Sequence, residues 1–93
     1  MREEKETSLK LARNLLGLSQ RKMGTLLSVS YQTINNHEIG KAPVTVVEIE
    51  TLKEIGFRSE FFFDCTSQPL QKDVSMLEVR ERAGDKMREL IGE

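Results

Sequence analysis

The sequence predicts an all-α protein, a compact five-helix bundle followed by a C-terminal helix. Three observations carry this expectation. Apolar residues recur at spacings of three and four. The periodic segments open on Ser or Thr and close on glycine, the punctuation of short helices. At 93 residues the chain can close one core but not two, so the helices must share it.

Leu9, Ala12, Leu15 and Leu16 place an apolar stripe on a first helix over roughly residues 6–16, and Gly17 supplies its left-handed stop. Ser19 offers an N-cap oxygen to a second helix with Met23, Leu26 and Leu27 on its inner face. Ser28-Val29-Ser30 forms a tight turn. A third helix starts near Ser30 and runs through Thr33-Ile34-Asn35-Asn36-His37-Glu38, with Ile34, and in one reading His37, turned inward. Gly40 and Pro43 end it, because glycine allows the positive φ of a C-cap and proline cannot continue a helix. Thr45-Val46-Val47-Glu48 is a capping box that opens a fourth helix along Ile49, Leu52 and Ile55, stopped at Gly56. Residues 59–66 fit either a helical turn capped by Ser59 or a strand, the helix being preferred. Thr66-Ser67-Gln68-Pro69 has the composition of a linker. A second capping box, Ser75-Met76-Leu77-Glu78, then opens a last helix within residues 70–91, whose Met76, Val79, Ala83, Met87 and Leu90 form one seam. Gly84 inside this helix costs about 1 kcal/mol relative to alanine, so the helix needs a packing partner.

Composition narrows the function classes. Hydrophobic residues at 38%, charged residues at 31% and a mean hydropathy of -0.42 describe a soluble globular chain. The longest apolar run, Phe61 to Phe63, cannot cross a membrane, and Met1 to Thr7 contain no apolar signal segment, so a cytoplasmic location is expected. Cys65 and His37 are each single, which excludes an internal disulfide and a Cys/His zinc cluster; no metal or other cofactor is expected. With no nucleophile–base pair and only scattered acids, there is no candidate catalytic residue, and an enzyme is not expected. The net charge of -1 conceals a division: residues 1–41 carry seven Lys/Arg against four Glu, a net of +3, and residues 42–93 a net of -4. A basic half joined to an acidic half suggests a polyanion for the first, and another partner or a second copy for the second.

Two short helices joined by a tight turn, the second with a polar outer face, suit insertion into a major groove. At residues 9–57 the chain resembles the Cro and phage-repressor (XRE-like) helix-turn-helix domains. The resemblance rests on Arg13, Leu18-Ser19-Gln20, Met23-Gly24, Leu27-Ser28-Val29-Ser30, Thr33-Ile34 and Glu38-Ile39-Gly40-Lys41. It implies a DNA-binding domain over residues 1–66, with residues 67–93 as linker and C-terminal helix, and a sequence-specific transcriptional regulator, a repressor, that binds a palindromic double-stranded DNA operator as a homodimer. It also implies that Tyr31, Gln32 and Asn36 contact base edges, assisted by Asn35 and Thr33, while Gln20, Arg21, Lys22, Ser30 and Lys41 contact phosphates. Gln and Asn can pair bidentately with adenine, and Tyr31 can donate to a base or phosphate or pack on a thymine methyl.

Arg13 and Glu38 resemble a family ion pair, either partly buried and fixing the angle of the reading helix, or on the surface and worth under about 1 kcal/mol. Three positions depart from the family. Ser28 stands where glycine is usual, His37 stands where a large apolar residue is usual and reads as a core histidine rather than a ligand, and one residue is missing between Lys41 and Pro43. The seam of Met76, Val79, Ala83, Met87 and Leu90 is assigned to a second subunit, with folding back on its own domain as the alternative. An antitoxin-type protein, holding a partner protein through this C-terminal segment, is the rival function.

Overall fold

Each helix begins where a hydroxyl can take over an unpaired backbone N–H. In the computed structural model, which describes residues 7–63 and 67–92, Thr7 caps α1 (Ser8–Leu16), Ser19 caps α2 (Gln20–Leu27) and Ser30 caps α3 (Tyr31–Glu38). Thr45 caps α4 (Val46–Glu54) and Ser75 caps α5 (Met76–Ile91); each hydroxyl accepts from the N–H three residues on. The expected starts and stops are found at these positions, apart from the residues preceding Thr7, which lie outside the described residues. The box at Thr45 is closed, since the Glu48 carboxylate accepts from the Thr45 N–H at 2.8 Å. The box expected at Ser75 is not: the Glu78 carboxylate turns to Arg82, one turn on, at 2.5 Å.

The described residues contain five α-helices, one 3-10 turn at Ser59–Phe62 and no strand, in accord with the all-α class. The fifth helix expected before Pro69 is this single turn, and residues 64–66, the remainder of the segment with two open readings, lie outside the described residues. Three aromatic rings explain why one turn suffices. Phe57, Phe61 and Phe62 pack on one another at centroid distances of 5.4–6.5 Å, and the Ser8 hydroxyl donates to the Phe61 carbonyl.

Four helices and one turn leave one side of the core open, and α5 closes it. Val79 and Ala83 are buried in the same cluster as Leu9, Ala12, Met23, Leu26, Ile34, Leu52 and Phe57, with Met76 and Met87 packed against it. The single shared core expected from the length is present, since α5 packs on α1 and α2. One expectation is corrected here. The seam of Met76, Val79, Ala83 and Met87 is used within the chain instead of lining a second subunit, and only Leu90, 43% exposed, stands largely outside the core. The chain between Pro69 and α5 is also tied down. Phe57 and Leu70 form an isolated antiparallel bridge, Arg58 N–H donates to Pro69 O at 2.9 Å, and Gln71 N–H to Gly56 O at 2.8 Å. Gly56 is required here: its φ is 119°, and a Cβ would lie 2.9 Å from the side chains of both Val74 and Val79. Lys86 Nζ on α5, half-buried, bonds Glu54 of α4 at 2.7 Å, a contact that raises the ammonium above its ordinary pKa.

Candidate nucleic-acid interface

The α2–turn–α3 unit is built by two backbone constraints. Ser28 adopts the left-handed conformation, φ 60° and ψ 40°, closing α2 with its N–H on Thr25 O, while Val29 N–H bonds Gly24 O at 2.8 Å. A Cβ on Gly24 would lie 2.6 Å from Val29 O, so a side chain there would force the turn away from α2. Glycine at 24 and the strained serine at 28 together set how closely α3 follows α2.

One carboxylate fixes α3 on the bundle. Glu38 receives Arg13 in bidentate fashion, Nε to Oε2 at 2.6 Å and Nη2 to Oε1 at 3.1 Å, and the same guanidinium donates to Leu18 O at 2.9 Å. The side chains of Arg13 and Glu38 are 15% and 4% exposed, which decides for the buried form of this pair. Gln20 joins the network: its Nε2 donates to Glu38 Oε1 and to Asn35 Oδ1, both at 3.2 Å. The amide of Asn35 is thereby turned so that its carbonyl faces Gln20 and its NH₂ points away.

At the opposite end of α3, the Arg21 guanidinium lies 4.4 Å from the centroid of the Tyr31 ring. Tyr31, Gln32 and Asn35 are exposed and Asn36 is half-buried. Thr33 and Ser30 are engaged locally, since Ser30 Oγ accepts from Thr33 N–H at 3.2 Å and lies 3.1 Å from Thr33 Oγ1. Arg21, Lys22 and Lys41 are exposed, placing positive charge at both ends of α3. From Ser19 to Lys41 the only acidic residue is Glu38, and it is buried and paired. The face is therefore polar, cationic at its edges and free of exposed carboxylate.

His37 is buried under this face, as a core residue. Its Nδ1 lies 3.0 Å from Ala42 O and its Nε2 3.0 Å from Glu48 Oε2. Sequence reasoning read Glu48 only as half of a capping box and missed this second role; no local pattern signals a contact eleven residues away across a loop. The stacking of Arg21 on Tyr31 was missed for the same reason. Among the described residues no group of three or more His, Cys, Asp or Glu could hold a metal ion, and no helix is long and apolar enough to cross a membrane. No protein-family model, curated protein or solved structure matches the chain.

Proposed function

We propose that this protein is a sequence-specific double-stranded DNA-binding regulator of transcription, acting as a repressor, that inserts α3 into the major groove as a homodimer. The single observation that carries this reading is the outer face of α2 and α3: amide and phenol side chains at the centre, Arg21, Lys22 and Lys41 at the margins, and the one carboxylate buried on Arg13. A solvated helix surface ordinarily mixes both signs of charge. A surface that meets phosphates at its rim and base edges at its centre does not.

In this reading Gln32 and Asn36 pair with adenine N6 and N7 in bidentate fashion, and Tyr31, held by Arg21, packs on a thymine methyl. Arg21, Lys22 and Lys41 neutralise phosphates. One eight-residue helix covers too few base pairs for useful specificity, so two copies read half-sites one helical turn apart, about 34–36 Å. Selection of bound duplexes from a random pool tests the proposal directly: a palindromic consensus is the expected outcome. On that site Gln32→Ala should cost about 1–3 kcal/mol and relax the preference at one position per half-site. Equal affinity of this variant and the wild type would remove α3 from the role of reading helix.

A further inference from the structure

With its apolar seam turned to the core, α5 leaves an outward face that no other helix covers among the described residues. That face consists of Leu77, Glu81, Gly84, Arg88 and Ile91, at alternating spacings of four and three, so all five lie along one stripe. Leu77 and Ile91 are 67% and 57% exposed, and Glu81 and Arg88 are exposed as well; the Arg88 guanidinium pairs with Asp85 on its own helix, an exposed contact that it would exchange for Glu81 of the partner subunit. Glycine stands at the centre of the stripe with no steric cause among the described residues, because a Cβ on Gly84 would meet only the tip of the Arg88 side chain, at 3.8 Å. A residue that disfavours a helix, placed mid-helix where a Cβ would meet no backbone, fits the close approach of something from outside.

The order of residues along the stripe specifies what approaches. Leu77 lies seven residues before Gly84 and Ile91 seven after it; Glu81 and Arg88 lie three before and four after. A twofold axis at Gly84 with the two helices antiparallel therefore sets Leu77 against Ile91 of the partner subunit and Glu81 against Arg88 of the partner subunit, with each contact made twice. We infer that this face of α5 is a self-complementary contact between two copies of the chain, crossing at Gly84 and fixed in register by two Glu81–Arg88 pairs. The inference refines the homodimer of the proposed function by giving it a surface, and it is measured without DNA, so its failure leaves the reading of α3 standing.

Charge reversal tests it on residues that the fold does not need. Sedimentation equilibrium over a concentration series should show the wild type dimerising. Glu81→Arg and Arg88→Glu should each raise the dimer dissociation constant by about tenfold or more, since each sets like charges opposite one another. An equimolar mixture of these two variants should recover association as a heterodimer, because every Arg then faces a Glu, and the doubly reversed chain should recover it as a homodimer. Circular dichroism should show both single variants folded as the wild type. A wild type that stays monomeric throughout the series, single variants that dimerise as well as the wild type, or a mixture that gains nothing would each overturn the inference. Loss of sequence-specific DNA binding in α3 variants that still dimerise would bear on the proposed function alone.

Discussion

His37 on α3 and Glu48 on α4 are joined inside the protein, with Nε2 of the ring 3.0 Å from Oε2 of the carboxylate. Both neighbours of the ring, this oxygen and the Ala42 carbonyl, are acceptors, so satisfying them requires a proton between the two side chains as well as one on Nδ1. The other carboxylate oxygen accepts the N–H and hydroxyl of Thr45, both at 2.8 Å. One buried pair thus locks the end of α3 to the start of α4.

Removing one partner of this pair is expected to cost more than neutralising the other. His37→Leu should lower stability by about 3 kcal/mol, because it leaves the Glu48 carboxylate buried without its partner. Glu48→Gln should be milder, since the amide can still accept from Thr45 and donate to a neutral ring. In the His37→Leu background, Glu48→Gln should restore part of the loss. Urea unfolding of the three variants measures this; a double variant less stable than His37→Leu would show that charge burial is not the cause.

Ser28 supplies a prediction of the opposite sign. Its φ of 60° is left-handed, a region that costs a residue bearing Cβ about 1–2 kcal/mol, whereas glycine enters it freely and loses about 0.5–1 kcal/mol in backbone entropy. Ser28→Gly is therefore expected to raise stability by a few tenths of a kcal/mol up to about 1. A lower melting temperature would mean that the serine hydroxyl has a role beyond the turn.

At Gly24 the constraint is steric. The nearest atom to an added Cβ is backbone, Val29 O at 2.6 Å, and backbone cannot rotate aside as a side chain can. Gly24→Ala should destabilise by about 1–3 kcal/mol in spite of alanine's higher helix propensity. Because the displaced element is the turn leading into α3, affinity for the selected duplex should fall even at temperatures where the variant is fully folded. Unchanged affinity in the folded variant would show that the α2–α3 spacing is not what positions α3.

The parts of this fold that were legible in the sequence are those decided within one turn of chain. Ser19, Ser30, Thr45 and Ser75 cap helices because a hydroxyl three residues before an N–H acts through local geometry alone, and Gly17 and Gly40 stop them for equally local reasons. Periodicity showed that α5 has an apolar stripe but not which surface receives it. The receiving surface is built by α1 and α2, far from α5 in the chain, and no local pattern reveals it. In the candidate site, the identity of the exposed side chains was legible, while the partners beneath them were not. Gln20 with Asn35, Arg21 with Tyr31 and His37 with Glu48 are all contacts between different helices.

Gln20 gives the sharpest of the expected outcomes. Both hydrogens of its amide are directed within the protein, to Asn35 Oδ1 and Glu38 Oε1, so neither is free for the phosphate contact that sequence reasoning assigned to it. Its effect on DNA binding should instead pass through Asn35, whose NH₂ it holds outward as a donor for guanine O6 or N7 or thymine O4. Gln20→Ala and Asn35→Ala should each weaken binding to the selected duplex more than to a random one. Their double variant should lose less than the sum, with a coupling of about 0.5–1.5 kcal/mol in a double-mutant cycle. A phosphate ligand would behave differently: Gln20→Ala would weaken specific and random duplexes equally, and the cycle would be additive. Titrating the four proteins against both duplexes at fixed salt separates the two roles.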